Sequence, residues 1–199
     1  EFMAPNVIIA GGVGSFEPRK IPLEELTKHE GKSVFYSVVN KELFKDKKIT
    51  IFGGGDSALD WALELSKKSN VTLVHRRAEF RGAPHTLNEI EKLKKEGKIS
   101  ILTPYQINSI NDGDKLTSIE LKSEDGKTKK IETDLVLGFF GLIMKLGPIA
   151  EWGLNMTKKT IDVRTENYQT NKPGIFAVGD ICNYPGKLKL ILSGFHEAA

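Results

Sequence analysis

Two groups of residues in this chain have the types and the spacing to do chemistry together. The first is Gly53-x-Gly55-x-x-Ala58, and the second is His75-Arg76-Arg77 followed by Arg81. The first glycine lets the chain turn sharply, the second lets a pyrophosphate approach bare backbone, and the small third residue lets a helix pack closely on the preceding strand. Free N–H groups at the start of that helix, backed by its dipole, then face the phosphates. The arginines supply a complementary grip, because the planar guanidinium fork can donate two hydrogen bonds to one phosphate. A carboxylate about 20 residues beyond the glycines would bind ribose hydroxyls, whereas arginine there accommodates a 2′-phosphate. Here the strand tip reads His75-Arg76-Arg77, so NADP(H) is the expected ligand. The competing reading of the basic run is a solvated face; its place at a strand tip weighs against that.

Such groups need a frame of strands and helices to hold them. From Lys48 the pattern alternates: "KITIFGG", a helix from Ser57 to Lys68, "VTLVHRR", a helix from about Thr86 to Glu96, and "ISIL". That alternation is the mark of βαβ units on a parallel sheet. A hairpin follows, turning at Asp125-Gly126, a pair that supplies the positive φ angles a tight turn requires. Before this block, the segment from Ser15 carries Pro18, Pro22 and Gly31 and reads as a linker to a short extended segment. "NVIIAGGVG" reads as a strand entering a glycine turn, "EFMAP" as a cloning scar, and "KLILSGFHEAA" as the start of an amphipathic helix. Together these ends suggest a piece of a longer protein. No internal repeat or low-complexity tract is present.

Composition excludes several classes. With 39% apolar and 28% charged residues, the chain has ordinary soluble composition. Its longest apolar runs, around Leu135 to Met144, fall far short of the roughly 20 residues a spanning helix needs, and no secretory signal opens it; a cytoplasmic protein that does not enter the membrane fits best. One cysteine and four scattered histidines make neither a disulfide framework nor a metal site. A net charge of +3 is too mild for a nucleic-acid binder.

Four stretches, "GGGDSALDWALEL", "VTLVHRRAEFR", "LGPIAEWGL" and "GIFAVGDICNYPGKLKLILSGFHEAA", together resemble the thioredoxin-reductase-like flavoproteins, and within them the ferredoxin/flavodoxin–NADP⁺ reductases. The resemblance covers about Val7 to Ala199, with the motifs in the family's order. It implies an α/β fold: a doubly wound, Rossmann-like NADPH-binding domain at 27–141, with partial segments of a second, FAD-binding Rossmann-like domain at 1–26 and 142–199. It implies an enzyme passing hydride from NADPH to FAD and single electrons to ferredoxin or flavodoxin, homodimeric when full length. For NADPH it points to Gly53, Gly55, Asp56, Ser57 and Ala58 at the helix start, to His75, Arg76, Arg77 and Arg81 as the 2′-phosphate and adenine cradle, and to Gly141 at the return crossover. For FAD it points to Phe16 and Asp180.

Two departures sharpen this reading. The family's disulfide reductases carry a Cys-x-x-Cys just before the strand that feeds the NADPH glycines; here "HEGKSVFYSVVNKELFKDKK" has no cysteine, which excludes reduction through a protein dithiol. The family's first FAD glycine motif belongs upstream of this chain, so the FAD site is expected to be incomplete and the chain alone inactive. Cys182 reads as a small buried hydrophobe, Trp61 and Trp152 as packing, and His196 as helix surface. Asp56 and Asp60 suit a helix N-terminus better than acid–base work, since the chemistry of hydride transfer belongs to the cofactors and no catalytic side chain is expected. Two rivals stay open: a reductase of the same fold with another acceptor, and a non-catalytic NADP(H)-binding module.

Overall fold

The computed structural model describes residues 3–112 and 115–199, the side chains of Phe16 and Asp112 excepted. It divides into a central unit, Pro18–Gly141, and a terminal unit, Glu1–Glu17 with Leu142–Ala199. The sequence reading set these divisions at 26/27 and 141/142.

The chain runs through β1 (Val7–Ile9) and β2 (Ser15–Pro18) before the central unit. There it forms β3 (Val34–Phe35), β4 (Lys48–Gly53), α1 (Asp56–Leu65), β5 (Asn70–Val74), α2 (Pro84–Lys95) and β6 (Ile99–Leu102). β7 (Gln106–Asp112), β8 (Leu116–Lys122), β9 (Thr128–Glu132) and β10 (Leu135–Phe139) complete that unit. The terminal unit resumes with β11 (Leu142–Lys145), β12 (Met156–Thr157), β13 (Thr160–Asp162), β14 (Ile175–Ala177), β15 (Cys182–Asn183) and α3 (Ile191–Ala198).

In the central unit five parallel strands lie in the order β3-β10-β4-β5-β6. β4 is buried from Ile49 to Gly53, as a strand covered on both faces must be. Alternation along β10 sends Leu135 and Leu137 to one face, where they pack with Ile49, Ile51 and the α1 stripe Ala58, Leu59, Ala62 and Leu65. Val136 faces the other way, with Phe52 and Val74, onto Leu116, Ile119 and Leu121 of β8. Helices thus cover one face and the antiparallel sheet β7-β8-β9 the other. From β4 the chain winds outward to β5 and β6, then returns to β10 on β4's other side. The β4/β10 boundary is therefore the topological switch point, beyond whose carboxyl ends open α/β sheets bind ligands.

Element boundaries depart from the sequence reading where side chains intervene. α2 starts at Pro84 rather than Thr86, because proline is preorganised for a first helical position and has no N–H to leave unpaired there. α1 ends at Leu65; the polar run after it cannot extend the buried stripe. The segment from Ser15, read as linker, begins as strand β2 paired with β11, with Pro18 at its end, where a missing donor is tolerated.

In the terminal unit β1 and β14 pair in parallel, and β12-β13-β15 form a small sheet around Ile9, Ile161, Ala177 and Ile181. α3 reverses the expected amphipathic pattern: Ile191, Leu192 and Phe195 are 83%, 78% and 73% exposed, while Glu197 is buried. Gly194 backs directly onto Gly179, and this close approach brings Glu197 over the Gly179 amide, whose N–H it accepts at 2.7 Å. Trp152, expected to pack, is 41% exposed; it caps the end of a short turn, Gly147–Glu151, that buries none of its residues.

Candidate functional site

The glycine turn closes β4 against α1 in a way that separates the roles of its glycines. Gly53 has φ +155°, and a Cβ there would stand 2.7 Å from Ala58 Cβ and 2.8 Å from the Phe139 carbonyl oxygen. Position 53 therefore admits only glycine, and position 58 only a small residue. At Gly54 a Cβ would fall 2.3 to 2.5 Å from the His75 ring, so the middle residue of the motif is constrained too, although the motif leaves it free. Gly55, the N-cap of α1 at φ −104°, is different: a Cβ would meet only the Arg81 carbonyl oxygen, at 3.9 Å. Packing does not require a glycine at 55; close approach of a ligand to backbone would.

The arginine loop is tied back to this turn. The Arg81 N–H donates to the Gly54 carbonyl at 2.6 Å, Gly55 and Arg81 form an isolated parallel bridge, and the Ala83 N–H donates to Asp56 Oδ1 at 2.9 Å. Asp56 thus latches the loop to the first turn of α1. Gly82 lets the loop lie flat, since a Cβ there would collide with Leu59 Cδ1 at 2.2 Å.

Turn and loop open onto a cavity of about 540 Å³ that lies wholly within the central unit, at the carboxyl ends of β10, β4 and β5. Gly53, Gly54 and Gly55 form its floor, and Phe52, Tyr105, Phe139 and Phe140 give it apolar surface. Five cationic residues line it, Arg19, Lys20, Arg76, Arg77 and Arg81, and among the described residues no Asp or Glu does. Glu79, within the arginine loop, is not among the lining residues.

His75 stacks on Phe80 with ring centroids 5.5 Å apart, and its Nε2 is buried without a hydrogen-bond partner. Burial, followed by the charges of Arg77, Arg76 and Arg81, pushes its pKa below the ordinary imidazole value. The site therefore gathers fixed positive charge around a neutral ring, bare amides and an uncommitted polar nitrogen, an arrangement fitted to a polyanion with a planar base.

Of the expected nucleotide residues, Gly53, Gly55, His75, Arg76, Arg77, Arg81 and Gly141 meet on this cavity. Asp56, Ser57 and Ala58 lie behind it in the first turn of α1. Sequence reasoning missed Arg19 and Lys20, whose segment is held at the cavity by tertiary contacts, among them the bond from Arg19 N–H to the Gly141 carbonyl at 2.9 Å. It also missed Tyr105 and Phe140; nothing local distinguishes either from a core residue.

The terminal unit holds the remaining expected residues. Asp180 sits in the turn Gly179–Ile181 after β14, whose parallel partner β1 leads into the Gly11–Gly14 stretch. The Phe16 side chain lies outside the described residues. The turn bearing Asp180 is anchored from below by Glu197, which accepts from Gly179 N–H, from the Tyr184 hydroxyl at 2.7 Å and from the Cys182 thiol at 3.4 Å, and pairs with Lys187. Burial raises the Glu197 pKa, but Lys187 and the other donors together hold it below the ordinary carboxylate value. Burial, then the bond to Glu197, pushes the Cys182 thiol up to about 11, so this cysteine is a protonated core residue. Among the described residues no cluster of His, Cys, Asp and Glu could hold a metal ion, and no helix is long and apolar enough to cross a membrane.

The chain has relatives among known proteins. A family model described as pyridine nucleotide-disulphide oxidoreductase matches residues 1–198. The chain is 63% identical over 199 residues to a ferredoxin–NADP reductase of Pelagibacter ubique and 51% identical over 200 residues to one of Flavobacterium johnsoniae, matched along its whole length but covering 59% and 57% of theirs. Among solved structures it is similar to thioredoxin reductase from T. acidophilum, with a TM-score of 0.82 at 27% identity over 98% of this chain and 63% of that one. Lactococcus lactis thioredoxin reductase superposes with a TM-score of 0.76 at 28% identity, over 96% of this chain and 62% of that one. The chain thus spans about 60% of the length of the proteins it matches.

Proposed function

This chain belongs to the pyridine nucleotide-disulphide oxidoreductase family, and from that premise we propose that its central unit binds NADPH and its terminal unit forms part of an FAD site. The whole protein would be a ferredoxin–NADP⁺ reductase, moving electrons between NADPH and ferredoxin or flavodoxin. The observation that carries the reading is the five-cation, carboxylate-free cavity at the sheet's switch point, floored by glycines. The pyrophosphate would rest on the amides of Gly55 and the first turn of α1, and the 2′-phosphate against Arg76, Arg77 and Arg81. His75 Nε2 and the surrounding rings offer the adenine a polar atom and apolar walls. On the terminal unit, Asp180 and the backbone at Phe16 would contact the flavin nucleotide, with Glu197 holding Asp180's turn in place. When bound, the two cofactors supply hydride transfer between nicotinamide and flavin and the release of single electrons. The names of the close relatives support ferredoxin as the acceptor.

The test is a double substitution, Arg76→Ala with Arg77→Ala, titrated with NADPH and with NADH. Two charge-assisted hydrogen-bonding groups lost, at about 1.5 kcal/mol or more each, should weaken NADPH roughly 100-fold and leave NADH nearly unchanged. Equal weakening of both nucleotides would sink the phosphate assignment.

A further inference from the structure

Three of the cavity's cations, Arg76, Arg77 and Arg81, come from one loop beyond β5; the other two, Arg19 and Lys20, come from the segment entering the central unit. The two groups stand at opposite ends of the site. β5 lies on one side of β4 and β10 on the other, so the tips of β5 and β10 are two strand spacings, about 10 Å, apart. Arg19 is fixed at the β10 end, where its N–H donates to the carbonyl of Gly141, two residues past β10. The glycine turn lies between them, following β4.

The two entering cations differ in how far they are committed. Lys20 pairs with Glu30 and lies 4.6 Å over the Tyr36 ring. The Arg19 guanidinium has no ion pair among the described residues, and Arg19 is an exposed residue of the cavity lining.

We propose that Arg19 forms a second anion subsite, holding the nicotinamide-side phosphate and ribose of the dinucleotide. The argument rests on the NADPH reading above. If the 2′-phosphate lies against the loop after β5 and the pyrophosphate lies on the turn after β4, the other half of the ligand must continue toward the tip of β10. There Arg19 is the uncommitted cation that can reach it, and a guanidinium matches a phosphate with two donors. The adenosine half ends short of this subsite, so ligands that include the second half and ligands that lack it should respond differently to Arg19.

The experiment titrates the wild-type chain, Arg19→Ala and Arg19→Lys with NADP⁺, with 2′-phospho-ADP-ribose and with 2′,5′-ADP, which carries only the adenosine half. Alanine keeps the backbone N–H that bonds Gly141 and removes only an exposed side chain; an unchanged circular dichroism melt verifies folding. In Arg19→Ala the Kd for NADP⁺ and for 2′-phospho-ADP-ribose should rise about tenfold, with that for 2′,5′-ADP within twofold of wild type. Arg19→Lys should recover part of the loss, since it keeps the charge without the fork. No change for any ligand, or an equal change for all three, overturns the subsite while leaving the 2′-phosphate assignment standing. Failure of the wild-type chain to bind 2′,5′-ADP overturns both.

Discussion

Replacing Gly53 and Gly55 separately by alanine distinguishes a glycine the fold needs from one the ligand needs. At Gly53 the backbone sits at φ +155°, a region costing a side-chain-bearing residue of order 1–3 kcal/mol. The new methyl would also lie 2.7 Å from Ala58 Cβ and 2.8 Å from Phe139 O. One is in α1 and the other on the backbone of β10, so neither can step aside cheaply, and overpacking adds about 1–3 kcal/mol. A total of about 2–6 kcal/mol is a large share of the roughly 5–15 kcal/mol that holds a domain together. At Gly55, φ is −104° and the only neighbour is 3.9 Å away. A weaker N-cap costs under about 1 kcal/mol, offset by about 0.4–1 kcal/mol from the stiffer unfolded chain. At about 2–4 °C per kcal/mol, Gly53→Ala should lower the melting temperature by about 5–20 °C and Gly55→Ala by less than about 3 °C. Calorimetric titration of the intact Gly55→Ala protein should then show NADP⁺ binding weakened about tenfold, because the added methyl stands where a pyrophosphate would meet bare backbone. If Gly55→Ala melts as low as Gly53→Ala, the assignment of open space at 55 fails. If it binds NADP⁺ as wild type does, no ligand approaches that backbone.

Two further perturbations test the electrostatics. His75 has its pKa lowered by burial and then by its three arginines. In the window below about pH 6.5 the unfolded chain therefore binds more protons than the folded one, and stability falls as pH drops through that window. His75→Gln should flatten the melting-temperature profile between pH 7 and 5. Glu64, held at about 2 by Lys41, and Asp125, held at about 2 by Lys127, lose their contribution only as pH falls below about 4.5, beneath the pH 7 to 5 range measured; a variant profile parallel to wild type would contradict the assignment. In the terminal unit, Glu197→Ala leaves the Lys187 ammonium buried without its counter-ion and takes the acceptor from Gly179 and Tyr184. Breaking such a pair costs about 3–5 kcal/mol, measurable by chemical denaturation, and a loss below about 1 kcal/mol would show that the cluster does not hold α3 in place.

The parts of this molecule that could be read from sequence are those with local causes. The βαβ core shows because β4 is an unbroken apolar run and α1 repeats Ala58, Leu59, Ala62 and Leu65 at helical spacing. The hairpin between β8 and β9 shows because Gly126 takes a positive φ, +84°. What stayed hidden depends on partners distant in the chain. Asp56 looked like a helix-dipole residue, and its bond to the Ala83 N–H has no signature in either segment. Gly54 occupies a free position of its motif, yet the His75 ring, 21 residues on, leaves it no room for a side chain. Arg19 lies in a stretch read as linker and reaches the cavity through Gly141. α3 departs from the expected amphipathic pattern because its apolar residues are exposed while Glu197 is buried by four donors.

The most direct measurement is a calorimetric titration of this chain with NADPH and, separately, with NADH. NADPH should bind about two orders of magnitude more tightly, the difference being the 2′-phosphate held by the loop after β5. Equal affinities, or no binding of either nucleotide, would contradict this and leave the five cations as a solvated basic surface.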